Sequence, residues 1–326
     1  MAAKVVRYIH DPLSRFNLHL LKETLRPHLP SCKFPDFLGL PPNNSEFAFG
    51  GYGVERVKIP KGWHFVYFPS IPDENLLYAD GYDPVSTSVQ LTGLSWRRWR
   101  GGELVFGTRE LVCEEPGKCA LTEEVTVKGD RSCWDRVDEI TVRRMSNLTG
   151  SEIGGDDTVL ETRHLVYLPS RSMNEKPINH SATKTRQIKS TMYSPMFQTT
   201  LIPTRALVFR FSALTFNAHR IHYDPLYATA VEQLPDVIVQ GALSLVLIMS
   251  WLQFDSEVSS ALGISYSSVS KHIQRVSYSC VHNITVDREV KIGIMPRPGL
   301  RGSVEKWRIW IEQGGGICLK GTITIG

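Results

Sequence analysis

The segment Arg210 to Asp224 reads R-F-S-A-L-T-F-N-A-H-R-I-H-Y-D and places Asn217, His219, Arg220, His222, Tyr223 and Asp224 within eight residues. Imidazole is the side chain best suited to moving protons near neutral pH, so this grouping suggests acid–base chemistry. Composition by itself favours a plainer reading, a solvated polar loop with an incidental histidine pair. Sixteen residues past Asp224, Gln240-Gly241 introduces the apolar run Ala242 to Leu252. If that run is a helix, its first N–H groups lack intrahelical partners and can hold a developing oxyanion. The structural alternative is that Gly241 only lets the helix pack closely on a sheet. A histidine-bearing loop that converges on such a helix start suits enolate chemistry at a thioester.

A second grouping, Trp96-Arg97-Arg98-Trp99-Arg100-Gly101-Gly102, mixes bases with aromatics. Locally this looks like a stacking site for single-stranded nucleic acid. The whole chain carries 37 Lys and Arg against 33 Asp and Glu, a net charge of only +4, so no nucleic-acid partner is expected. Arg97 and Arg98 are better read as structural, or as contacts to the phosphates of a coenzyme. No G-x-S-x-G elbow, H-E-x-x-H pair, Rossmann fingerprint or P-loop is present. The six cysteines, Cys32, Cys113, Cys119, Cys133, Cys280 and Cys318, form no C-x-x-C pair. No metal is therefore expected, and free thiols in a reducing compartment are the default.

The elements that must position these groups follow from the pattern. At about 150 residues per domain, 326 residues suggest two domains or one large one. Leu13, Phe16, Leu20 and Leu21 predict an amphipathic helix over 12–27, and 28–60 reads as loop. Trp63 to Phe68 reads as a strand, followed by a turn-rich stretch with Asp80-Gly81-Tyr82-Asp83-Pro84. Strand-like segments follow at Glu103–Phe106, Leu121–Lys128, Glu139–Arg144 and Thr158–Leu168. Residues 169–195 are polar and proline-bearing and read as a linker. Beyond it, Gly241 to Phe254 is apolar all round and reads as a buried central helix. Strands at Val276–Val281 and Val290–Met295 and a hairpin turning at Gly314-Gly315-Gly316 complete an α+β pattern. The apolar run Ala242–Leu252 is shorter than the roughly 20 residues that a membrane span needs. Met1 to His10 lacks the apolar core of a secretory signal, so a mitochondrial or cytoplasmic location is expected.

Ser212-Ala213-Leu214-Thr215-Phe216-Asn217-Ala218-His219-Arg220-Ile221-His222-Tyr223-Asp224 resembles the MaoC-like (R)-specific hydratases and dehydratases. The likeness is greatest to the type 2 hydroxyacyl-thioester dehydratases and the mesaconyl-CoA hydratases. His64 to Pro69, Asp80 to Asp83, Arg97 to Leu104, Val276 to Tyr278 and Lys320 to Thr322 also look like that family, so the resemblance spans roughly 60–325. It implies a double hot dog fold, in which each half is an antiparallel sheet curled around a long helix and the second half carries the site. The implied boundaries are an arm at 1–47, a non-catalytic half at 48–168, the linker at 169–195 and a catalytic half at 196–326.

The resemblance also implies roles. The broader family motif is D-x-N-P-[LIV]-H, and Asn217, His219, Arg220 and His222 fall on its Asp, Asn, Pro and His positions. Asn cannot take a proton, so His222 becomes the main acid–base group, helped by Asp224, with Asn217 orienting water. Gly241 keeps the N–H that polarises a thioester carbonyl. Where the subfamily shows V-H-G-P, this chain has Val239-Gln240-Gly241-Ala242. Substrate contacts are expected from His219, Arg220, Tyr223, Gln240, Arg97 and Arg98. The implied activity is a hydro-lyase on an acyl thioester, with no cofactor beyond a carrier that is coenzyme A or acyl carrier protein. Two alternatives stay open: a dehydratase acting on a polyketide-like intermediate, and a non-catalytic acyl-thioester binder. Pairing into a homodimer is also open.

Overall fold

The computed structural model describes residues 4–11, 13–38, 57–83, 94–108, 110–113, 119–129, 137–147, 159–169, 193–264, 266, 271–297 and 305–326. Strand β1 (Lys4–His10) and helix α1 (Arg15–Leu25) open the chain. The short β2 (Val57–Lys58) precedes a 3-10 turn at Trp63–Val66. Then come β3 (Leu94–Phe106), β4 (Val112–Cys113), β5 (Cys119–Gly129), β6 (Val137–Asn147) and β7 (Val159–Pro169). After β8 (Phe197–Leu201) the helices α2 (Arg205–Leu214), α3 (Gly241–Phe254) and α4 (Ser256–Leu262) follow. Strands β9 (Ile273–Cys280), β10 (Val290–Pro296), β11 (Glu305–Gln313) and β12 (Gly316–Ile325) close it.

Ten strands form one antiparallel sheet in the order β1-β5-β6-β7-β3-β9-β12-β11-β10-β8. Five come from before residue 170 and five from after residue 196, and the two sets meet at β3 and β9. The seam needs glycine. Gly101 has φ +144°, and a Cβ there would stand 2.3 Å from the carbonyl oxygen of Tyr278. Just beyond it, Glu103 accepts from Ser277 Oγ at 2.8 Å and from Arg275 Nη1 at 2.7 Å, tying the seam with charge.

Helix α3 is the buried central helix that its long apolar run predicts. Leu243 to Leu252 and Phe254 are buried, and Gln253 between them is partly exposed. Polar anchors hold it from the side: Ser250 Oγ accepts from Trp63 Nε1 at 2.8 Å, and the Gln253 carboxamide accepts from Lys61 N–H at 3.1 Å and donates to Lys61 O at 2.8 Å. Trp63 belongs to the segment read from sequence as a strand, and that reading is corrected. The backbone turns instead, because Gly62 at φ +90° lets Trp63 N–H reach back to Pro60 O at 2.9 Å. Six consecutive buried residues give no alternation from which to tell a strand from a turn.

Two details of the N-terminal region also differ from the sequence pattern. Helix α1 buries Leu18, Leu21 and Leu25, whereas Phe16 is 55% exposed and Leu20 is 37% exposed. The stretch before it, read as part of a helical arm, contains β1, which pairs with β5 along the sheet edge. Residues 39–47 of the arm and 170–192 of the linker lie outside the described residues. No described helix is long and apolar enough to cross a membrane.

Candidate active site

Helix α2 ends at Leu214, and Phe216 at φ +52° turns the chain out of it. Asn217 then folds the loop on itself, since its Oδ1 accepts from the His219 N–H at 3.1 Å. A single 3-10 turn, Arg220–His222, brings the two imidazoles together with centroids 5.5 Å apart and planes at 87°. Both rings are buried, His219 at 6% and His222 at 8% exposure.

His222 Nδ1 lies 2.8 Å from Ile238 O. A carbonyl only accepts, so Nδ1 carries the proton, and in the neutral ring the lone pair is on Nε2. The Asp224 carboxylate, expected from sequence to help His222, is instead engaged within its own turn. Its Oδ2 takes the Arg220 guanidinium at 2.8 and 3.1 Å, and its Oδ1 caps the next turn through Tyr227 N at 2.9 Å. These bonds hold the carboxyl below its ordinary range. Arg220 lies 4.3 Å from the Tyr227 ring centroid, so this part of the motif builds the turn.

A carboxylate does reach the imidazoles, but from far away in the sequence. Asp80 Oδ2 lies 3.3 Å from His219 Nε2. The turn that carries it is pressed onto the histidine loop, with Arg220 N–H donating to Asp80 O at 2.8 Å. Gly81 has φ +78°, and a Cβ there would lie 2.0 Å from Ala218 O. The sequence reading noted Asp80-Gly81-Tyr82-Asp83 as a turn and gave it no role at the site. Only the fold shows which carboxylate faces which ring.

The N-terminus of α3 faces the same space. Gln240 is its first flanking residue, and the carboxamide is turned inward: Nε2 donates to Val208 O at 3.0 Å and to Ser212 Oγ at 2.8 Å. Gln240 Oε1 is buried without a partner. Gly241 packs on Trp99, with a notional Cβ only 3.1 Å from the indole. Ser244 is the first α3 residue to donate back into the helix, to Gln240 O at 3.1 Å. The N–H groups of Gly241, Ala242 and Leu243 therefore precede the ladder, at the positive end of the helix dipole.

A cavity of about 1010 Å3 joins these groups. Asn217, His219, His222, Tyr223, Gln240 and Gly241 line it, as do Asp80, Trp99, Arg98 and Arg100. Burial, and Arg100 beside it, lower the Arg98 pKa. Arg97 lies on β3, but its side chain is not among those described. On the β6–β7 wall, Glu161 is wholly buried between Arg143 at 3.2 Å and Arg163. The two guanidiniums outweigh the burial penalty and hold its carboxyl at about 2. Arg163 also lies 5.1 Å from the Trp99 ring centroid. Sequence analysis placed Trp99 only within the basic and aromatic grouping and missed Arg143, Glu161 and Arg163, for which charged residues at inward positions of a strand were the available sign. Among the described residues no cluster of His, Cys, Asp and Glu is arranged to hold a metal.

Comparison with known proteins follows the same pattern. Residues 62–286 match the family profile described as hydroxyacyl-thioester dehydratase type 2. The chain is 27% identical to the mitochondrial hydroxyacyl-thioester dehydratase type 2 of Schizosaccharomyces pombe, over 96% of this chain and 94% of that protein. It is 29% identical to the mesaconyl-C(4)-CoA hydratase of Chloroflexus aurantiacus, over 59% of this chain and 63% of that one. Among solved structures, a MaoC-like dehydratase matches at TM-score 0.61 and 11% identity, covering 99% of this chain and 97% of its own. A MaoC-like dehydratase from Phytophthora capsici matches at 0.53 and 10%, covering 100% and 95%. At such identities the structural likeness concerns the fold, which is of the MaoC-like hot dog type.

Proposed function

Because the chain belongs to the hydroxyacyl-thioester dehydratase type 2 family, we propose that it is a hydro-lyase of acyl thioesters, removing water from a (3R)-hydroxyacyl thioester or adding it to an enoyl thioester. The observation that carries this reading is the convergence of His222 and the Gly241 helix start on one cavity. Elimination of water needs a base at Cα and a donor set for the enolate oxygen. His222 Nε2 takes the α-proton. The C–H electron pair moves to the thioester oxygen, held by Gly241 N–H at the positive end of α3. The pair then returns to form the Cα–Cβ double bond as the β-oxygen leaves. The Asn217 carboxamide orients that oxygen, and its own Oδ1 is kept in place by the His219 N–H.

Arg98 and Arg100 stand on the cavity wall where a carrier phosphate would bring charge, which supports coenzyme A or acyl carrier protein as the carrier. The reaction needs no further cofactor. The mitochondrial names of two relatives support a mitochondrial location, with the cytoplasm as the alternative. The test is turnover of an enoyl-CoA panel by the wild-type protein and by His222→Ala. Equal turnover of an accepted substrate by both would remove His222 from the chemistry.

Gln240 favours a second reading of the substrate. An inward carboxamide with a buried, unpartnered oxygen stands where the family shows histidine, which suits a polyketide-like intermediate carrying a hydrogen-bond donor. Activity on such an intermediate, with none on any enoyl-CoA, would select it.

A further inference from the structure

We propose that His219, held by Asp80, is the second proton-transfer group of the site, serving the β-oxygen while His222 serves the α-carbon. The inference rests on the acyl-thioester reading above. Dehydration moves two protons, one off Cα and one onto the departing oxygen. His222 accounts for the first. Asn217 cannot exchange a proton, and both oxygens of Asp224 are engaged with Arg220 and the Tyr227 N–H. His219 lines the same cavity, 5.5 Å from His222, with a carboxylate at its Nε2.

The pair is built rather than incidental. Asp80 Oδ1 accepts from Tyr82 N at 2.9 Å, which fixes the carboxylate plane and presents Oδ2 to His219. The Asp80 carbonyl takes the Arg220 N–H, and the Gly81 contact with Ala218 O admits no side chain. The His219 backbone is fixed in turn by Asn217. An oriented carboxylate behind an imidazole sets its tautomer and stabilises its charged form. His222 rests on a neutral carbonyl instead. Of the two rings, His219 is the one equipped to hold a second proton.

The step balances with these two groups. Neutral His222 removes the α-proton, and the C–H pair becomes the Cα–Cβ double bond by way of the enolate. The Cβ–O bond breaks with its electrons on oxygen, and the His219 imidazolium gives that oxygen its proton through Nδ1, releasing water. His222 ends protonated and His219 neutral, and a proton passes between them through the released water to reset the site. Hydration is the reverse. Among the described residues, Asp80, Tyr82 (its ring centroid 6.0 Å from that of His219) and His222 face His219; Tyr227 lies near Asp80, and Arg220 is paired with Asp224.

The test uses the full chain and a (3R)-hydroxyacyl-CoA that the wild type dehydrates, with kcat, KM and pH profiles measured. Asp80→Asn keeps an oxygen for Tyr82 N–H and removes only the charge. His219→Gln should lower kcat by about 100-fold. Asp80→Asn should lower it by about tenfold, leave KM nearly unchanged and move the alkaline limb of the kcat profile to lower pH. Asp80→Glu should restore part of the rate. A His219→Gln variant within about twofold of wild-type kcat, or an unmoved alkaline limb in Asp80→Asn, overturns the proposal. If His219→Gln does not fold by circular dichroism, the Asp80→Asn profile decides alone. Loss of turnover in His222→Ala with normal turnover in His219→Gln refutes this inference and leaves the functional reading intact. A wild type that turns over no thioester refutes both.

Discussion

His222 Nδ1 and the Ile238 carbonyl oxygen are 2.8 Å apart, and Ile238 stands three residues before Gly241. Ile238 N–H in turn donates to Ile221 O at 3.1 Å. The proposed base and the proposed oxyanion donor are thus gauged against each other by one short backbone segment. A shift of that segment moves both, and a displacement of an ångström can cost about 100-fold in rate.

This pairing separates chemistry from structure at one position. His222→Asn places an amide nitrogen near the place of Nδ1 and should keep the bond to Ile238 while abolishing turnover. His222→Ala should abolish turnover and also lose about 1–3 kcal/mol of stability, because the buried carbonyl is left unpaired. Urea unfolding of the two variants beside the wild type measures the difference.

Gly241→Ala should lower kcat by about tenfold or more, through position rather than charge. The added methyl would meet the Trp99 indole at 3.1 Å, so either the ring or the first turn of α3 must give way. Replacing Trp99 with Leu in the same chain should recover part of the loss. Steady-state kinetics of the single and double variants would show it, and no recovery would mean that the N–H itself, not the contact, had been disturbed.

Ser250→Ala tests the anchoring of α3 from below. Trp63 Nε1 would lose its 2.8 Å partner inside the core, at a cost of about 1–3 kcal/mol. The expected sign is a lower urea midpoint with kcat close to wild type, because Ser250 lies about two and a half turns from the helix start.

Stability should fall with acid in two windows. Burial pushes His64 down from 6.5 to about 4, so the unfolded chain binds its proton first as pH falls. The stability tied to neutral His64 is complete above 6.5 and is lost as pH falls through 4, about 3 kcal/mol in all. Glu161, held at about 2 by Arg163 and Arg143, acts in the same direction lower down. Its share is complete above 4.5 and is lost as pH falls toward 2. Urea midpoints between pH 7 and pH 4 should therefore decline for the wild type and decline less steeply for His64→Leu, where His28, His272 and His282, also held low by burial, keep a smaller share. A wild-type midpoint that does not change across that range would contradict the burial argument.

Much of this fold can be read in the sequence because its signals are local. The long apolar run of α3, the glycine hairpin between β11 and β12 and the alternating strands each declare themselves within one segment, by length, turn residue or period. Trp63 to Phe68 could not be read that way, since a segment buried on every side has no period. The site divides along the same line. Asn217, His219 and His222 lie in one short motif, whereas Asp80, Trp99, Glu161 and Arg163 come from three distant segments. Asp224, adjacent in sequence to Tyr223, drew attention by proximity and proved to serve the turn. Which carboxylate meets which imidazole is a property of tertiary packing, and no spacing rule contains it.

The contact between Gly81 and Ala218 O has a consequence for descent. A segment beginning after the linker would inherit both histidines, the helix start and most of the cavity floor, yet leave behind the aspartate that lies 3.3 Å from His219. Exchange of that segment between related genes would succeed only with recipients whose own Gly81 counterpart leaves room for the Ala218 carbonyl. Because that carbonyl belongs to the backbone, the constraint falls on Gly81 alone and holds whatever side chain stands at 218.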